Sequence, residues 1–397
     1  MVDLTRRHLL AGAACGLAVG ALPTRLVLAN APTEKRLVLV ILRGGMDGLS
    51  TVVPYADPDY RSLREDLALA PPGREDGVLD LDGFFGLHPA LITLHDWYRR
   101  GDALALHAVA SPYRERSHFD GQDLLEAGDS RLGSSPDGWL NRALSVIGGE
   151  QRLGLAVGQS VPLVLRGETP VMSWAPSALP SADLSLLDRL ADVYAGDPLF
   201  RDALAEGRRA NMLAGTAMGD TEPAGGRQEA YLQLADTAAG MLTAEDGPRI
   251  AVLDAPGWDT HIAQGTVNGA LSRALGGLDA VLARLKAGLT PVWPETAIII
   301  VTEFGRTVRP NGSGGTDHGT ATAAFLAGGA VAGGRVVADW PGLGTNRLYE
   351  DRDLAPTADI RALFKGVLAS HYGLPTRDLE RFVFPDSAGV RALDALV

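Results

Sequence analysis

Two uninterrupted apolar runs, Leu37 to Leu42 and Ala297 to Val301, constrain this chain more than any other feature. A run with no polar alternation has both faces buried, as in the central strands of a parallel sheet covered by helices. The first run breaks at Arg43-Gly44-Gly45-Met46-Asp47-Gly48. The second breaks at Thr302-Glu303-Phe304-Gly305-Arg306-Thr307, followed by a Gly-rich loop that ends in Thr316-Asp317-His318-Gly319. A third apolar stretch, Arg249 to Leu253, leads into Asp254 and then Gly257-Trp258-Asp259-Thr260-His261. In open α/β sheets, ligand sites lie just beyond the carboxyl ends of strands. Here those ends deliver carboxylates and imidazoles.

The remaining order supports the same class. Helical spacing runs from His88 to a Gly101 stop, and a strand follows at Ala103–Val109; strand, helix, strand is a βαβ unit with a parallel sheet. Amphipathic helices are predicted after Ser117 and after Pro136, at about Gln264–Ala287, and from roughly Asp359 to His371. Residues 57–86 read as an excursion over the surface. Residues 151–180 read as a hairpin or a pair of edge strands, and 321–339 as an antiparallel pair. The expected fold is α/β: a mostly parallel central sheet with helices on both faces, a small antiparallel excursion and a helical insertion at about 181–245. No linker rich in Pro, Gly or Ser divides residues 32–397, so one domain is expected there.

The N-terminus reads differently. Thr5-Arg6-Arg7-His8-Leu9-Leu10 precedes an Ala/Gly-rich apolar stretch and a small-residue site at Ala29-Asn30-Ala31. This resembles a twin-arginine export signal cleaved after Ala31, implying the twin-arginine translocase as a partner and a periplasmic or otherwise exported destination. Pro23 and Arg25 break the stretch short of a stable membrane span. Removing residues 1–31 takes the chain from 36 basic and 48 acidic side chains to 33 and 47, a net charge of −14. So acidic a surface excludes nucleic acid and anionic lipid as general electrostatic partners. The single cysteine, Cys15, leaves with the signal, which excludes disulfides, thiolate metal sites and a catalytic thiol.

Asp259 and His261, two residues apart, point the same way in an extended segment. Asp317 and His318 converge only if their Gly-flanked turn folds them together. With Asp47 and Glu303 at other strand ends, these are candidate ligands for a hard-to-borderline divalent ion. Singly, each reads as well as a structural turn or backbone-bonding residue; the case rests on their joint placement. Ser117 is either a helix N-cap or a nucleophile using the anion-stabilising end of a helix. Arg116, His118 and Arg306 supply donors for an anionic substrate.

The strings Arg43-Gly44-Gly45-Met46-Asp47-Gly48, Arg116-Ser117-His118-Phe119-Asp120-Gly121-Gln122, Gly257 to His261, and Thr302 to Thr307 with Thr316 to Gly319 resemble the domain of unknown function 1501. That family looks related to the alkaline phosphatase and sulfatase superfamily. The resemblance implies an exported hydrolase of phosphate or sulfate esters, acting on a small anionic ester. It implies two divalent ions (zinc, manganese or magnesium) held by Asp47, Asp259, His261, Asp317 and His318, with Glu303 rebuilding a missing position. It implies Ser117 as nucleophile, with Arg306, Arg116 and His118 about the substrate. The spacings depart from the superfamily pattern, which keeps open a non-catalytic protein that binds a ligand or envelope partner on the same fold.

Overall fold

The computed structural model describes residues 33–149, 152–176, 184–218 and 227–397. The export signal expected at residues 1–31 lies outside them. From residue 33 onward the chain forms one compact unit. Its elements are β1 (Arg36–Arg43), three short strands β2 (Val52–Val53), β3 (Leu79–Asp80) and β4 (Gly86–Leu87), then α1 (Ile92–Arg100) and β5 (Ala103–Ala110). There follow α2 (His118–Ala127), α3 (Trp139–Ile147), β6 (Gly154–Val157) and β7 (Met172–Trp174). Helices α4 (Leu184–Tyr194), α5 (Pro198–Met218) and α6 (Arg227–Thr243) precede β8 (Ile250–Pro256) and α7 (Ala270–Leu289). The chain closes with β9 (Thr296–Thr302), β10 (Thr322–Ala327), β11 (Val336–Val337), β12 (Ala358–Asp359) and α8 (Arg361–Tyr372).

The main sheet runs β11-β5-β10-β9-β1-β8-β6-β7, with β12 also pairing β5. The apolar runs predict its centre correctly: β1 lies between β8 and β9, parallel to both. Alternate β1 residues serve opposite layers. Val38, Val40 and Leu42 pack with residues of α1, α6 and α7. Leu37, Leu39 and Ile41 pack with residues of α3 and α8. Helix α7 shows why it docks: buried Leu271, Leu275, Leu278, Leu282, Leu285 and Leu289 recur every three or four residues along one stripe. The fold is thus α/β and mostly parallel, with helices on both faces. The excursion at 57–86 contributes to a small antiparallel sheet, β2-β4-β3.

Several details differ from the sequence reading. β1 and β5 share a direction but are not neighbours, because β9 and β10 lie between them. β10 turns back antiparallel to β9 and also pairs β5. The expected pair at 321–339 therefore does not form; β11 instead runs parallel to β5. Of the two readings for 151–180 the hairpin does not form: β6 and β7 pair in parallel, with β7 at the sheet edge and β6 beside β8. Helix α7 begins six residues later than expected, because Gln264 is buried and bonded to Asp47 instead of joining a helix. Among the described residues no helix is long and apolar enough to cross a membrane.

Candidate active site and metal centre

Connections leaving the carboxyl ends of β5, β8 and β9 meet in one place. β5 leads to His118 at the start of α2, β8 to Asp259 and His261, and β9 to Glu303, Arg306 and then His318. Two close backbone approaches make this possible. A Cβ on Gly44, at φ +128°, would stand 2.5 Å from the Asp259 amide. One on Gly315 would stand 2.4 Å from the His261 carbonyl. Any side chain at either position would push the Asp259–His261 segment away.

His118, Asp259 and His318 each place one ligand atom within 4.8 Å of the others, and they are the group among the described residues that suits a metal ion. His261 completes it. Its Nε2 lies 2.9 Å from His318 Nε2 and 3.0 Å from Asp259 Oδ1. His318 Nε2 is 3.2 Å from the same oxygen. These separations approach the roughly 3.3 Å edges of a tetrahedral site with bonds of about 2.0–2.1 Å.

The partners of the other ring nitrogens fix the tautomers. Nδ1 of His118 donates to Glu303 Oε1 at 2.8 Å, Nδ1 of His318 to the Arg116 carbonyl at 2.9 Å, and Nδ1 of His261 to Asp317 Oδ1 at 3.2 Å. Each acceptor is a carboxylate or carbonyl, so each Nδ1 carries a proton and each Nε2 is left to face Asp259. His118 Nε2 is buried without a hydrogen-bond partner; its nearest Asp259 oxygen, at 3.5 Å, is too distant for a good bond. Three imidazole nitrogens around one carboxylate, whose Oδ1 also accepts from Arg306 at 2.6 Å, are a donor set that suits a divalent cation. A carboxylate or carbonyl behind each ligating imidazole is the usual outer support of such sites.

The electrostatics act in both directions on these groups. Burial drives the Asp259 carboxyl upward, but the hydrogen bond and charge of Arg306 outweigh it and keep it ionised. Burial likewise opposes Glu303, yet bonds from His118, Gln122 and Thr302 hold it below the usual range. The Glu303 bond raises His118, and burial lowers His318.

The sequence candidates separate into tiers. Asp259, His261 and His318 converge as proposed ligands, and His118, expected beside the substrate, joins them. Glu303 and Asp317 stand behind histidines, bonded to their Nδ1 atoms. Asp47 lies elsewhere: its carboxylate is fully buried, pairs with Arg64, and accepts from Gln264 Nε2 at 2.7 Å and from the Leu49 and Ser50 amides. Its oxygens are already committed by those donors. Arg306 is buried and spent on Asp259, at 2.6 Å, and on Thr316. The Arg116 side chain pairs with Asp353 and Glu350 while its carbonyl serves His318. Ser117 occupies the N-cap of α2, but its side chain makes no capping bond.

Sequence reasoning missed a buried polar chain that joins Asp47 to the centre. Gln264 donates to Asp47 and accepts from Thr260 and Thr316, both at 2.8 Å; Thr316 in turn holds Arg306, which holds Asp259. A lone Gln in a loop carries no local signal of such a role. Two large apolar side chains, Phe119 (84% exposed) and Ile262 (71%), follow the His118 and His261 ligand positions directly.

A family model described as "Protein of unknown function (DUF1501)" matches residues 110–383. The chain belongs to the DUF1501 family. The matched region contains every member of the histidine–aspartate cluster. No curated protein matches this DUF1501 chain. Among solved structures it is similar to the phosphonate monoester hydrolase of Agrobacterium radiobacter, at 12% identity and TM-score 0.38 over 86% of this chain and 74% of that one. It is also similar to a phosphonate monoester hydrolase from Silicibacter pomeroyi, at 12% identity and TM-score 0.42 over 90% and 76%. A third is the lipoteichoic acid synthase LtaP from Listeria monocytogenes, at 9% identity and TM-score 0.36 over 92% and 78%. Likenesses at this level carry no residue roles to this DUF1501 protein.

Proposed function

We propose that this protein is an exported, metal-dependent hydrolase of phosphate or sulfate esters with Ser117 as nucleophile. The observation that supports it is the convergence of three Nδ1-protonated imidazoles on Asp259, directly beside the N-terminus of α2. His118, His261, His318 and Asp259 would hold one divalent ion; a donor set of nitrogen and oxygen fits zinc or manganese better than magnesium. When bound, the ion supplies positive charge that polarises the ester. Ser117 Oγ, giving up its proton to solvent, would attack the phosphorus or sulfur as the bond to the ester oxygen breaks. That oxygen leaves as the alcohol with a proton from water, and a second water then cleaves the serine ester to release the acid. The first amides of α2 face the anion's remaining oxygens at the positive end of the helix. Arg306 acts one step back, keeping Asp259 charged and in place.

A second reading has its own support. With Asp47 sealed against Arg64, the described residues favour one ion rather than a pair. A one-ion centre also serves a non-catalytic protein that binds a ligand or envelope partner. Zinc-loaded mature protein assayed on aryl phosphates and sulfates, beside Ser117→Ala, separates the two. Turnover that Ser117→Ala abolishes supports the hydrolase. Bound metal with no turnover on either ester class supports the binding protein. Export is part of the same proposal, and Arg6→Lys with Arg7→Lys should hold the precursor in the cytoplasm.

A further inference from the structure

A half-open cavity of about 360 Å³ lies between the end of β8 on one side and α6 and α7 on the other. Its size falls in the range of small-molecule sites, about 300–1,000 Å³. Leu253 and Trp258 line it from the strand end, Tyr231 from α6, and Ala274 and Gly277 from α7. Trp258 links the cavity to the centre, since it borders the cavity and immediately precedes the Asp259 ligand position. Asp254 and Arg273 also reach the cavity; the Asp254 charge is paired with Arg43, at 2.9 Å, and Arg273 is exposed.

Helix α7 carries Gly276 and Gly277 side by side in its interior, where glycine is a poor helix former. Close packing does not require them, because a Cβ at either position meets nothing within 4 Å. A larger side chain at Gly277 would strengthen the helix and fill the void. The chain leaves that void open. We propose that the cavity is a substrate subsite that takes an uncharged aromatic group carried by the ester. Leu253, Ala274 and Gly277 give it an apolar lining, beside the rings of Trp258 and Tyr231. The subsite rests on the hydrolase reading for its purpose but not for its detection.

The test is calorimetric binding of 2-naphthol to the zinc-loaded protein and to its Gly277→Leu and Ala274→Leu variants. The wild type should bind, and each variant should bind at least about tenfold more weakly, the loss expected when a ring no longer fits its cavity. Metal content and circular dichroism should stay unchanged. In parallel, Gly277→Leu should raise KM for 2-naphthyl phosphate about tenfold while leaving methyl phosphate unaffected. No binding to the wild type, or equal binding to both variants, overturns the subsite. Naphthol binding that the variants block, with neither ester hydrolysed, upholds the subsite and sinks the hydrolase instead.

Discussion

His261 and His318 hold their Nε2 atoms 2.9 Å apart while each commits Nδ1 to an acceptor, Asp317 in one case and the Arg116 carbonyl in the other. At that distance the two nitrogens hold either a shared proton or a cation between them. The mature protein should retain about one divalent ion per chain. His261→Ala or His318→Ala should release it, as read by elemental analysis. A protein that takes up no zinc after exhaustive loading has no such centre.

Glu303 bonds His118 Nδ1 and is itself held by Gly44, Gln122 and Thr302. Glu303→Gln should weaken metal affinity by about 10–100-fold without emptying the site at saturating zinc. Competition with a chelator measures this. Unchanged affinity would show that the bond to His118 positions nothing.

Asp47 and Arg64 form a fully buried ion pair. Asp47→Asn leaves the guanidinium charge uncompensated and should destabilise the fold by about 3–5 kcal/mol. Denaturant melts should show the loss, and zinc stoichiometry should not fall. The reverse pattern, metal lost with stability intact, would return Asp47 to the ligand set.

Because the Ser117 side chain makes no capping bond, Ser117→Ala should cost less than about 0.5 kcal/mol, below the typical loss of roughly 1 kcal/mol for a working cap. Turnover, by contrast, should vanish. A large drop in melting temperature would assign the hydroxyl to the helix instead.

Burial lowers both His107 and His371 from 6.5 to about 4. His107 is locked neutral: Nε2 donates to the Val52 carbonyl and Nδ1 accepts from the Ala108 amide. Between these values the unfolded chain binds the extra proton, so stability falls as pH drops from about 6.5 toward 4, by up to about 3 kcal/mol per histidine. Above 6.5 the contribution is whole. Urea melts across this window should flatten in His371→Gln.

The central strands were legible because burial on both faces forces an unbroken apolar run, and β1 and β9 have one. Strand neighbours were harder to read. Nothing local in Thr322–Ala327 says that it returns between β9 and β5, because pairing is decided by which edges remain open once the rest has packed. At the site, Asp259 with His261 and Asp317 with His318 were visible as paired carboxylate and imidazole at strand ends. Their division between ligand and support was not visible. Asp317 and His318 are adjacent in sequence, yet only the turn at Gly315 decides which faces the centre.

Residue types and their order along the chain determined a parallel core, its carboxyl-end rim and the chemical repertoire available there: imidazole, carboxylate, hydroxyl, no thiol. Tertiary structure alone decided which groups meet. Arg64, seventeen positions beyond Asp47, pairs with that carboxylate, while Gln264 ties it to the network behind Asp259. A buried charge must find a partner wherever folding brings one, and that partner is set by three-dimensional proximity rather than by spacing in sequence.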